Sequence, residues 1–281
     1  MLPVAIKNGV LTVVNTDPFF GDGSEGPVTI SANTTLVSDL FADTLMVNPG
    51  ITLKTAGFRI FCKNKFTNQG TISFDGPNAG STTGGVVPAS SVLDQGTSGG
   101  NGTTTNGNNG GASTNALVYF PAITHPGGIG GAGAAGTGGA GGAGGTQSTP
   151  LNTGFAYHGV LQQFTSVLAN DTIMHVRGGT GGGAGGGDGT FLGGGGGGGA
   201  GVIQICARIF DNSLGVISAS GGIGGGGGGG TAAGGGGGGG GVVIVCYDQF
   251  LGSLSILTTG GVGGGAGGAG AAGHSFLIEV A

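Results

Sequence analysis

An unbroken run of glycine from Gly234 to Gly241, with equally pure companions at Gly193–Gly199 and Gly224–Gly230, constrains this chain more than anything else in it. A stretch without side chains adds nothing to an apolar core. It also makes a poor α-helix, because glycine loses more conformational freedom on ordering than any other residue. Such a stretch is either flexible or held by its backbone hydrogen bonds alone. Disordered chains combine low hydropathy with high net charge. Here 77 of 281 residues are glycine and only 7% are charged, while the mean hydropathy is +0.29. Serine, which flexible linkers mix with glycine, is nearly missing from the runs. Order is therefore expected.

The runs carry a phase. Gly127, Gly130, Gly133, Gly136, Gly139, Gly142 and Gly145 fall on every third position, as do Gly261, Gly264, Gly267, Gly270 and Gly273. A period of three matches an extended helix with three residues per turn and a rise of about 3.1 Å. Collagen shares that period but needs abundant proline, and these runs contain none. Polyglycine helices pack side by side because a face without Cβ lets backbones touch, each N–H and C=O then bonding a neighbour. Thr231-Ala232-Ala233 and Asp188 to Leu192 interrupt the runs and mark reversals.

Between the runs lie short β-branched or aromatic stretches bounded by turn residues: Val28 to Ile30, Thr44 to Val47, Ile51 to Leu53, Arg59 to Cys62 and Thr71 to Phe74. A repeat links strand and glycine. Gly57, Cys62 and Phe66 recur as Gly201, Cys206 and Phe210, then as Gly241, Cys246 and Phe250. Ten residues after each cysteine stand Ile72, Val216 and Ile256, followed by glycine near 76, 221 and 260. This predicts that the three cysteines occupy one equivalent, reduced core position. The expected fold is mainly β with polyglycine II helices and little α-helix. A short-strand β-solenoid or sandwich carries a packed layer of antiparallel polyglycine II helices.

The expected domains are an N-terminal β attachment region, 1–56, and a repeat body, 57–281, with units starting near 57, 201 and 241. Larger loops are expected at 76–114 and 146–177. The second contains Phe155, Tyr157, His158 and Phe164, and a helical spacing from Val160 to Leu168. It reads equally as a capping helix or as a recognition element. With Phe191 and Leu192 at a reversal, those four residues are the candidate receptor contacts.

Chemistry is sparse. His125, His158, His175 and His274 share no ligand or triad spacing. Gly96-Thr97-Ser98-Gly99-Gly100 fits a nucleophile-elbow pattern but lacks the helix that would present the serine. No cofactor or metal is expected, and no enzymatic activity. A net charge of −5 argues against nucleic acid. No apolar stretch of membrane-spanning length and no basic, apolar leader is present.

Two stretches, Asp22 to Leu36 and Leu45 to Leu53, together with the glycine runs between strands, resemble bacteriophage glycine-rich tail-fibre and tip adhesin proteins of the polyglycine-sandwich type. The resemblance implies a virion protein made in the host cytoplasm, with end loops that touch a bacterial surface receptor. It also implies an N-terminal β region that joins other virion proteins, and a homotrimer by analogy with other fibres. The alternatives are a capsid decoration or head-fibre protein with an assembly role only, and an ice- or surface-binding polyglycine bundle.

Overall fold

The computed structural model describes residues 4–7, 10–13, 19–88, 92–108, 125–126, 131–145, 176–253 and 255–280. These are mainly β, the large sheets are parallel, and no α-helix occurs among them. The helical spacing from Val160 to Leu168 lies outside the described residues.

Strands β1 (Val4–Lys7) and β2 (Val10–Val13) pair antiparallel. Most later strands belong to two sheets. One holds β3 (Pro27–Ile30), β5 (Leu40–Ala42), β6 (Thr44–Val47), β8 (Ile60–Asn68), β12 (Val202–Asp211), β14 (Val242–Leu251) and β16 (His274–Glu279). The other holds β4 (Thr34–Thr35), β7 (Thr52–Lys54), β9 (Thr71–Ser73), β13 (Val216–Ser218) and β15 (Ile256–Leu257). The short strands β10 (His125–Pro126) and β11 (Val176–Arg177) pair with each other. Apart from β5, which shares β8 with β6, the chain visits the two large sheets in turn. Because β6 pairs with β8 and β7 with β9, the boundary expected at 56 and 57 runs through both sheets.

The residue pattern explains the layers. From Val202 to Ala207 in β12 every residue is buried, as expected of a parallel strand covered on both faces. Ile203, Ile205 and Ala207 join Leu53, Ile72 and Ile217 of the smaller sheet in one apolar cluster. Val202 and Cys206 face the opposite way, into a second cluster with Phe20, Leu93, Val242, Ile244 and Cys246. Phe66, Phe210 and Phe250 stand in register across three strands, with ring centroids 5.4 and 6.0 Å apart. Beneath them the Asn68 side-chain amide donates to Asn212 Oδ1 at 2.7 Å, pairing two buried polar groups.

The cysteines depart from the expected single position. Cys206 is in register with Cys246, but Cys62 faces Ala207. Between Cys62 and Lys65, β8 carries one residue more than β12 does between Ala207 and Ile209. That bulge restores register at the phenylalanines and leaves the cysteines on opposite faces, since neighbouring strand residues point to opposite sides. Likewise Ile217, not Val216, aligns with Ile72 and Ile256.

The glycine stretches form a hydrogen-bonded bundle. Segments 178–187, 193–200 and 234–241 are buried along their whole length. Their bonds recur every third residue, and each phase serves a different neighbour. Gly179, Gly182 and Gly185 donate to Ala200, Gly197 and Gly194, an antiparallel match. Gly183 and Gly186 donate instead to Gly131 and Ala134, while Ala184 and Gly187 donate to Asn108 and Thr105. Gly194, Gly197 and Ala200 donate to Ala233, Gly236 and Gly239, a parallel match, and the latter three return to Gly186, Gly183 and Thr180.

Around these three segments runs a closed ring of nine: 219–226, 258–264, 267–273, 131–136, 139–145, 105–108, 97–102, 83–87 and 76–80. Each is bonded to the next, from Gly224 donating to Val262 round to Ala79 donating to Ile223. Four of the nine come from 76–114, which the composition presents as an exposed loop. Its Asn, Thr and Ser conceal glycines that face inward: Gly84, Gly85, Gly96 and Gly100 are buried. Close approach requires the missing side chain. A Cβ at Gly238 would lie 1.9 Å from the Gly198 carbonyl oxygen, and one at Gly234 1.8 Å from that of Gly264.

Candidate functional site

The segments reverse at one end of the bundle, and their turns meet. Gly227 N–H donates to Ser81 O, Gly228 to Leu192, Gly189 to Thr104 and Gly138 to Gly187. The Thr137 and Thr231 hydroxyls are 2.7 Å apart. Five stretches distant in sequence thus share one surface.

Asp188 organises its centre. Its Oδ1 accepts the Thr190 amide at 2.9 Å and the Phe191 amide at 2.7 Å. Its Oδ2 accepts the Thr231 amide at 3.0 Å, tying two reversals together. A short acceptor that bonds amides two and three residues on is what a tight turn selects. Gly189 follows with φ of +90°, a region that L side chains rarely adopt. The Phe191 amide foremost, then those of Thr190 and Thr231, hold the carboxyl below its ordinary range. Asp188 is therefore a charged structural acceptor with its oxygens committed to the turn.

Phe191 and Leu192 are 44% and 41% exposed. The Phe191 ring rests against the adjoining turn, where a Cβ at Gly230 would lie 2.7 Å from ring carbon Cδ2. The structure thus brings these two candidates together beside the exposed Thr104, Thr137, Thr190 and Thr231. Phe155, Tyr157, His158 and Phe164 lie outside the described residues. The end surface offers hydroxyls, an aromatic edge and backbone, on a frame set by hydrogen bonds. Such an array can make contacts.

The remaining chemistry is internal. Burial pushes the Cys62 thiol up to about 11, and burial with the neighbouring Cys206 thiol raises that of Cys246. The three cysteines are unpaired and buried. Among the described residues no group of three or more His, Cys, Asp or Glu is placed to hold a metal ion. The Ser98 hydroxyl accepts the Val87 amide at 3.0 Å, which makes it a structural acceptor within the ring.

One polar cluster escaped the sequence reading. Asp75 Oδ1 accepts the Ser218 hydroxyl at 2.5 Å and the Ser220 amide at 2.7 Å, while its Oδ2 accepts the Ser73 hydroxyl at 2.8 Å. It joins β9 and β13 where they pass into glycine, and the Ser-x-Asp at the end of β9 is its only local signal. Comparison of the chain with protein-family models, curated proteins and solved structures finds no match.

Proposed function

We propose that this chain is a non-catalytic virion structural protein, a tail-fibre or fibre-tip component that contributes to host-surface attachment. The observation that carries this reading is the bundle itself, in which three wholly buried glycine segments anchor a ring of others and gather their turns at one end. A display element needs stiffness and few cleavable or titrating groups, and this architecture supplies both. We assign the glycine segments to polyglycine II helices. Support comes from hydrogen bonds that recur every third residue and rotate among neighbours. We read the strands as a short β-solenoid, supported by their alternation between two parallel sheets.

In this reading the turns around Asp188, Phe191 and Leu192 face a bacterial surface receptor. The N-terminal β region contacts other virion proteins, and a homotrimer is the expected assembly. Gold-labelled antibody against this chain, imaged on virions of the phage that encodes it, tests the location. Label at fibre ends supports the reading. Label over the capsid replaces it with a decoration role, and no label on virions overturns both.

A further inference from the structure

Ring and centre differ in where their side chains point. The three central segments carry none on any exposed side, because they have no exposed side. In the ring, several of the residues that reach solvent bear a Cβ, although Gly80, Gly226 and Gly268 are exposed as well. Ala266, Ala269 and Ala272 in 267–273 and its preceding turn are all exposed and spaced by three. Ala132 and Ala135 continue the pattern on the adjoining segment, which is bonded to the first through Gly268 and Ala132. Farther round, the outward positions hold Val262, 65% exposed, and Val86, 73% exposed.

Gly267 and Gly270 of the same segment point inward. A Cβ at Gly267 would sit 2.1 Å from Gly235 O, and one at Gly270 2.1 Å from Gly238 O. A bundle made only of glycine has no such limit. Its outer segments would present to solvent the same bare backbone that binds inside, a template for another copy comparable to an open sheet edge.

We infer that the outward methyl rows terminate the bundle, preventing its sides from pairing with those of a second copy of this chain. A glycine segment of another molecule, seated at the internal spacing, would place backbone oxygen about 2 Å from each outward Cβ, the distance found inside. No attractive contact is involved; the device is steric, repeated every third residue. Self-assembly of this chain then has to use the strand end or the turn end, not the glycine flanks. The inference holds wherever the protein acts.

The test is a full-length variant, Ala266→Gly with Ala269→Gly and Ala272→Gly, compared with the parent by sedimentation velocity across a concentration series. The bared flank is expected to produce concentration-dependent species larger than those of the parent. A matched variant with serine at all three positions keeps each Cβ and is expected to sediment as the parent does. Amide exchange at Gly234–Gly241 reports whether the bundle is intact. Protected central amides with unchanged sedimentation of the glycine variant would overturn the inference. So would association of the serine variant to the same extent. Loss of central protection in the serine variant would overturn the outward placement of these methyls.

Discussion

The strand region and the glycine bundle of one chain solve the burial problem in opposite ways. Around Phe66, Phe210 and Ile217 the interior is close-packed hydrocarbon, and its stabilisation scales with apolar area, at roughly 25 cal/mol per Å². Around Gly182, Gly197 and Gly236 the interior is backbone, and each hydrogen bond contributes a net ~0.5–1.5 kcal/mol against roughly 1–2 kcal/mol for fixing each residue. The first tolerates an imperfect contact by repacking. The second tolerates almost none, because one displaced segment breaks bonds on several sides at once. The two meet at β12 and β14, which are direct continuations of central segments 193–200 and 234–241.

If the contrast holds, the largest loss follows a small addition to the bundle. Gly238→Val should cost on the order of 4–5 kcal/mol or abolish folding, the range of exceptional substitutions, since a Cβ there meets Gly198 O at 1.9 Å. Ala135→Val, on an exposed outward position, should stay within about 0.5 kcal/mol. Equal denaturant midpoints for the two would erase the distinction between central and outward phases.

Next comes removal of bulk from the strand region. Phe210→Ala empties a site between Phe66 and Phe250, and should cost about 3–5 kcal/mol. Thermal melting of that variant should lower the transition while amide protection at Gly234–Gly241 persists at lower temperature. Loss of that protection well below the melting transition would mean the bundle lacks independent cohesion.

Smaller still is Cys206→Ser, which places a hydroxyl in the cluster of Phe20, Val202 and Val242, with the Gln204 side-chain amide as a polar neighbour there, and should cost roughly 1–3 kcal/mol. All three thiols should resist alkylation in the native protein at neutral pH, since burial keeps reagent from reaching them. Rapid labelling of Cys206 and Cys246 without unfolding would contradict their place in the second cluster.

The least effect is local to the turn end. The carboxyl of Asp188 titrates below its ordinary value in the folded state, so it favours the folded turn above about pH 3.9. That contribution fades as pH falls through the lower folded value. The Phe191 and Thr231 amides should then lose exchange protection before the central glycines do. Asp188→Asn should reproduce this at neutral pH with little change in overall melting. A melting temperature that fell with the turn would show that the end surface supports the bundle.

The sequence alone determined that the chain is mainly β, that the runs have a three-residue phase, and that Phe66, Phe210 and Phe250 are counterparts. These follow from local rules: β-branched alternation, spacing within one run, and aromatic size repeated at a fixed offset. It did not determine which face each cysteine takes, because the bulge before Lys65 depends on how β8 lies against β12. Nor did it reveal that segments between 76 and 108 join the ring, because Asn, Thr and Ser on the solvent phase hide glycines whose partners lie far along the chain, as Gly85 donates to Gly196 and Gly100 to Gly182. Asp188 was visible only as an interruption between runs. That it joins two reversals was decided when Thr231 came within 3.0 Å. Hydrogen bonds between backbones carry no side-chain signature, so in a bundle of glycine only the tertiary structure decides which segment is central and which is the edge.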